Sequence, residues 1–104
     1  MELNNLSDIF QSKLRLMIIS ALITGKKTFK EIKEITGATD GNISVQITNL
    51  EKAQYITVTK GYIGKKPQTT IELTDKGLQD FKAYVDMLQT IMNQYDKSIF
   101  GQEV

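Results

Sequence analysis

The chain has 104 residues, 40% of them hydrophobic and 24% charged, and a net charge of +1. That length is one domain's worth, with room for a modest core and little for a buried catalytic cleft. It contains neither cysteine nor histidine, which excludes disulfides and thiolate metal sites and removes the commonest general base and metal ligand together.

The charge is unevenly spread. Residues 11–70 hold ten cationic residues against four acids, whereas the segments on either side are acidic. A basic middle is the footprint of a polyanion-binding surface, and acidic flanks point to a different task there. The one long apolar run, "LMIISALI" at 16–23, is far short of the roughly 20 residues that cross a bilayer, and no signal pattern precedes it. A soluble, cytoplasmic protein with no membrane partner is the expectation.

"SKLRLMIISALITGKK" (12–27) places Leu14, Met17, Ile18, Ala21 and Leu22 at helical spacing. Gly25 with Lys26 and Lys27 supplies a stop, the cations standing at the negative end of the helix dipole. "TFKEIKEIT" (28–36) opens with Thr28 and Glu31 in the S/T-x-x-E pattern of a capping box. Phe29, Ile32 and Ile35 form its inward stripe, and Gly37 ends it. From about Thr39 to Ala53 a third helix carries Ile43, Ile47 and Leu50 at i, i+4, i+7. Then the period changes to two. "YITVTKGYIGKKPQTTIEL" (55–73) alternates on both sides of a glycine-rich basic tip and predicts a β-hairpin, with Pro67 beside the tip where a missing N–H is tolerable. "LTDKGLQDFKAYVDMLQTIMNQY" (73–95) predicts a final helix of about 20 residues, capped by Thr74 with Asp75 in its first turn.

This order is mainly α with a small β-hairpin. It is the order of a winged helix-turn-helix with a long C-terminal dimerisation helix, one domain over 1–104. Residues 12–74 form the helix-turn-helix and wing, and 1–11 with 75–98 the dimerisation helices.

The third helix contains a glycine and four β-branched residues, a composition that costs helix stability. With Ile43, Ile47 and Leu50 inward, 100° per residue puts Gly41, Val45, Thr48, Asn49 and Lys52 on the opposite side, flanked by Asn42, Ser44 and Gln46. That face is slim and mostly polar-neutral. Asn42, Gln46 and Asn49 offer amides for adenine edges, Ser44 and Thr48 offer hydroxyls, and Val45 offers an apolar contact for a thymine methyl. Gly41 lets a phosphate approach the helix N-terminus. Thr28 and Thr39, at the starts of two helices, join the candidate DNA contacts. Lys60, Lys65 and Lys66, around Gly61, Gly64 and Tyr62, form a basic tip suited to phosphates. Arg15, the single arginine, has two open roles: a phosphate contact, or a pair with an acid of the last helix.

The stretch from "LRLMIISAL" through "TFKEIKEITGATDGNIS" and "GKKPQTT" to "LTDKG" resembles the small winged-helix transcriptional regulators of the MarR and ArsR kind. It is most similar to the subgroup in which "TDGNIS" opens the recognition helix and a "G-x-x-P-x-T" wing leads into "LTDKG". The resemblance covers about residues 12–88. It implies a sequence-specific double-stranded DNA-binding regulator, a repressor acting as a homodimer with the recognition helix in the major groove. In this wing no arginine is present, where wings of the family often carry one.

In the final helix Leu78, Phe81, Val85, Leu88, Met92 and Tyr95 recur at alternating spacings of three and four, and Tyr84 and Ile91 broaden the seam. Together with Leu3, Leu6, Ile9 and Phe10 they are the expected dimer interface, which would make the DNA site an inverted repeat. Two other functions compete. An enzyme needs clustered titratable groups, and Glu31, Glu34, Asp40, Glu51 and Glu72 are scattered. A winged helix that binds another protein without direct DNA binding would show salt-insensitive association, where DNA binding shows steep salt dependence. No cofactor or metal is expected, and whether a small-molecule effector acts is unknown.

Overall fold

The computed structural model describes residues 12–100, with side chains described through residue 97. Seven elements follow in chain order: α1 (Lys13–Ile23), β1 (Lys27–Thr28), α2 (Phe29–Thr36), α3 (Asp40–Lys52), β2 (Ile56–Ile63), β3 (Lys66–Leu73) and α4 (Asp75–Phe100). The sheet is antiparallel in the order β1-β3-β2.

Each helix begins where a hydroxyl can accept from an orphan amide. Ser12 accepts from the Arg15 N–H at 3.3 Å to start α1. Thr28 accepts from the Glu31 N–H at 3.1 Å, and Glu31 Oε1 accepts from the Thr28 N–H at 3.0 Å, completing the expected capping box. Thr39 starts α3 and Thr74 starts α4. Gly37, with φ 69°, ends α2 in the left-handed conformation.

The end of α3 has a less common residue. Gln54 has φ 64°. Its N–H donates to the Glu51 carbonyl at 2.9 Å, and the Tyr55 N–H donates to the Leu50 carbonyl at 2.9 Å. This is a Schellman closure, with buried Tyr55 and Leu50 as its apolar clasp.

The core joins Ile18, Ile19 and Leu22 of α1, Ile32 of α2, Ile43, Ile47 and Leu50 of α3, and Tyr55, Ile56 and Ile71 from the sheet and its approach. Leu14 and Leu16 flank it on α1. This helix is apolar around most of its circumference, so it buries Ile19 as well as the expected Ile18 and Leu22. α1 packs against α2, α3, β3 and α4.

Three expectations are corrected. Ile35 is 49% exposed because the core lies toward the Phe29 and Thr36 side of Ile32; a short helix can present only one flank of its stripe. The hairpin gains a third strand, since Lys27 and Thr28 pair with Ile71 and Thr70. The final helix also runs longer than expected, 26 residues or about 39 Å.

The hairpin turns through two residues, Gly64 and Lys65. Among the described residues positive φ occurs here only at Gly64, at 62°, the type II′ pattern whose twist suits the flanking strands. A two-residue turn makes Ile63 and Lys66 the hydrogen-bonded pair, so the backbone of Pro67 faces away from β2. The missing N–H of Pro67 therefore falls on an edge that β1 does not reach.

Gly77 is the most confined of the described glycines. A Cβ there would lie 2.4 Å from the Tyr55 carbonyl oxygen and 2.8 Å from Leu73 Cδ1. That carbonyl also accepts from the Thr74 N–H at 2.9 Å, and Thr74 Oγ1 donates to the Gln54 carbonyl at 2.7 Å. The first turn of α4 is thus bound to the exit of α3.

Candidate nucleic-acid interface

Burial fixes the rotation of α3. Ile43 and Leu50 are fully buried and Ile47 nearly so, while Gly41, Asn42, Ser44, Val45, Thr48, Asn49 and Lys52 are exposed. Each buried branched side chain contributes about 1.5–3 kcal/mol, which outweighs the roughly 1 kcal/mol that a glycine costs a helix. The protein does not itself require that glycine. A Cβ at Gly41 would meet no atom within 4 Å, and its φ is not positive.

The two capping threonines differ in setting. Thr39 is exposed and accepts from the Asn42 N–H at 3.2 Å, while Thr28 is half-buried within β1 and the capping box. The backbone and side chain of Thr28 hold the Glu31 carboxyl below its ordinary value. Asp40, in the first turn of α3, pairs with Lys33 at 2.7 Å. Both partners are exposed, so the pair is worth at most about 1 kcal/mol, and it offsets the charge of the one carboxylate in the first turn of α3.

Lys60, Lys65 and Lys66 are all exposed on the wing, with Tyr62 and Ile63. Between the wing and α2 lies a cleft of about 570 Å³ whose basic lining is Lys30, Lys33 and Lys66. Lys30 and Lys33 were not among the sequence candidates. Their signal was present, since both lie on the face of α2 away from Ile32, but only folding brings that face opposite the wing.

Gln46 differs from its neighbours. It is half-buried, and its Oε1 accepts a hydrogen bond from Arg15 Nε. The arginine whose role was open thus reaches across from α1 to the recognition helix.

On α4, Phe81 and Tyr84 pack against the core. Farther along, Leu88 is 41%, Ile91 52%, and Met92 and Tyr95 each 55% exposed; Leu78 and Val85 are exposed to a similar degree. Leu3, Leu6, Ile9 and Phe10 lie outside the described residues. No helix among the described residues is long and apolar enough to cross a membrane.

A three-helix core, a recognition helix with a slim polar face and a basic wing define a winged-helix protein. Residues 14–92 match the family described as the winged helix DNA-binding domain, and the chain belongs to that family. Over 88 residues it is 34% identical to an uncharacterized protein of Methanocaldococcus jannaschii, covering 82% of this chain and 95% of the relative. Among solved structures it is similar to a transcriptional regulator homologue from Pyrococcus horikoshii, with TM-score 0.74, 27% identity and coverage of 90% of this chain and 99% of that one. It is also similar to the transcriptional repressor BigR from Xylella fastidiosa, with TM-score 0.62, 26% identity and coverage of 85% and 83%. A MarR-family regulator from Enterococcus faecalis shares the fold, with TM-score 0.79 at 18% identity and coverage of 91% and 86%. The fold and family are those of transcriptional regulators rather than enzymes.

Proposed function

We propose that this DNA-binding regulator acts in the cytoplasm as a homodimeric repressor on an inverted-repeat operator, with α3 of each protomer in the major groove. One observation carries the reading: the exposed side of α3 is slim, amide-rich and open at Gly41, although nothing inside the protein requires that composition. Asn42, Ser44, Val45, Thr48 and Asn49 read bases. Lys52, Lys60, Lys65 and Lys66 contact phosphates, and Thr28 and Thr39 approach the backbone at two helix starts. Repression follows the neighbour from Xylella that is named as a repressor. Pairing of α4 with α4 of a second copy covers Val85, Leu88, Ile91, Met92 and Tyr95, and sets the two recognition helices about 34 Å apart. Residues 1–104 act as one domain in this reading.

Selection of bound fragments from a random pool of double-stranded DNA, followed by affinity measurement across salt concentrations, tests it. The expected result is an inverted repeat with half-sites about one turn apart and a steep loss of affinity with salt. Absence of an enriched sequence, or binding indifferent to salt, would refute it.

A further inference from the structure

Arg15 is the sole arginine of the chain, and its Nε–H donates to Oε1 of Gln46 across the junction of α1 and α3. A guanidinium carries donors only, so the end of a carboxamide that meets it has to be the oxygen. The oxygen of Gln46 is therefore turned toward α1. The NH₂ group is the end it presents elsewhere.

Gln46 does not stand alone on the helix. Asn42, Gln46 and Asn49 occupy i, i+4 and i+7, a single line of carboxamides along α3. The outer two are exposed, and the middle one is half-buried under Arg15. Asn42 and Asn49 can turn either end of the amide outward. Gln46 cannot do so while Arg15 holds its oxygen.

We propose that Arg15 is a positioning residue for base readout: by holding the Gln46 oxygen against α1, it leaves the middle carboxamide of the line a donor-only reader. Paired recognition of adenine needs both ends of an amide, the oxygen for N6 and the NH₂ for N7. Gln46 held in this way lacks the first. Its two N–H donors match the adjacent acceptors N7 and O6 of guanine, whereas adenine sets a donor beside its N7 and thymine offers O4 alone. The base pair facing Gln46 is accordingly G·C, read through guanine, between positions at which Asn42 and Asn49 can take adenine. This inference rests on the proposed DNA-binding function and adds a rule for one position of the half-site.

The test measures affinities of the intact homodimer and of variants for the selected site and for sites substituted at each single base pair. A ratio of affinities is independent of the fraction of protein that is folded, so a destabilised variant remains informative. Loss of discrimination in Gln46→Ala locates the position. The expected result is a G·C pair there in the intact protein, with Arg15→Ala lowering discrimination at that position about fivefold or more and leaving the others within about twofold. Arg15→Lys, also donor-only, should retain most of it. Gln46→Glu, which pairs with Arg15 but has no donor, should lose it.

An A·T pair at the Gln46 position, or an Arg15→Ala variant with unchanged preferences, would overturn the assignment alone. So would a uniform loss on all sequences with a shallower salt dependence, which would make Arg15 a phosphate contact. Failure of the intact protein to select any sequence would overturn the proposed function and this inference together.

Discussion

The Tyr55 hydroxyl donates to Asp80 Oδ2 at 2.7 Å, joining the residue that closes α3 to the second turn of α4. The Tyr55 side chain is buried, and Lys76 Nζ lies 5.7 Å from its ring centroid. Burial, then the hydrogen bond and charge of Asp80, raise its phenol above the ordinary value of 10.0. A raised pKa means that the folded state holds the proton more tightly. The stabilisation is complete below pH 10 and is lost as pH rises above it, when the unfolded chain ionises. Tyr55→Phe should cost about 1–2 kcal/mol at neutral pH and should lose less further stability than the intact protein in strong alkali. Urea melts of both proteins at neutral and alkaline pH check this.

Gly77→Ala should destabilise the fold even though alanine is the better helix former. The gain in propensity is about 1 kcal/mol. Against it stands a Cβ at 2.4 Å from the Tyr55 carbonyl oxygen, a backbone atom that cannot swing aside. Overpacking of that kind typically costs about 1–3 kcal/mol, on top of strain in the Thr74 to Tyr55 hydrogen bond. Thermal unfolding should show a lower midpoint in the variant.

Gly41→Ala should do the reverse. The space around it is open, so alanine should raise stability by roughly 0.5–1 kcal/mol. DNA affinity should fall, because the added methyl group stands where a phosphate or base would approach. Denaturant melts and binding titrations on the same preparation separate the two effects; a variant both more stable and equally tight would remove Gly41 from the interface.

Replacing Lys65 and Lys66 with alanine should weaken binding by similar factors on all sequences and flatten the salt dependence, by a slope of about 0.9 for each phosphate that the wing no longer neutralises. Both side chains are exposed on the wing, so unfolding midpoints should barely move. Equal affinity at low salt would place the wing away from DNA.

Leu88→Glu/Met92→Glu should yield monomers. Sedimentation of the intact chain should give twice the chain mass at micromolar concentration. The substituted side chains lie beyond the part of α4 that meets the protomer's own core, so helicity should persist. A monomeric intact protein, or a variant that still pairs, would refute dimerisation through α4.

The sequence by itself determined the order of the four helices and the hairpin, the capping box and glycine stop of α2, the Thr74 cap of α4 and the inward faces of α2's centre and α3. These depend on residues a few positions apart. The Thr28 to Glu31 capping box spans one turn, Ile43, Ile47 and Leu50 repeat at helical spacing, and the strands beside Gly64 alternate with period two. It also marked Gly41 as anomalous for a helix, because propensity is a local property.

Tertiary structure alone decided the rest. A two-residue strand such as β1 has no period to detect, and it exists because β3 offers a partner. Which flank of Ile32 is covered depended on where α1 lies, so Ile35 stayed outside. Gln54 took a left-handed conformation usually left to glycine because the Leu50 and Tyr55 clasp holds it. Gly77 is needed for a carbonyl 22 residues earlier in the chain, and the amide of Gln46 was oriented by an arginine on another helix. Such pairings join residues far apart in the chain, and local propensity and spacing carry no information about them.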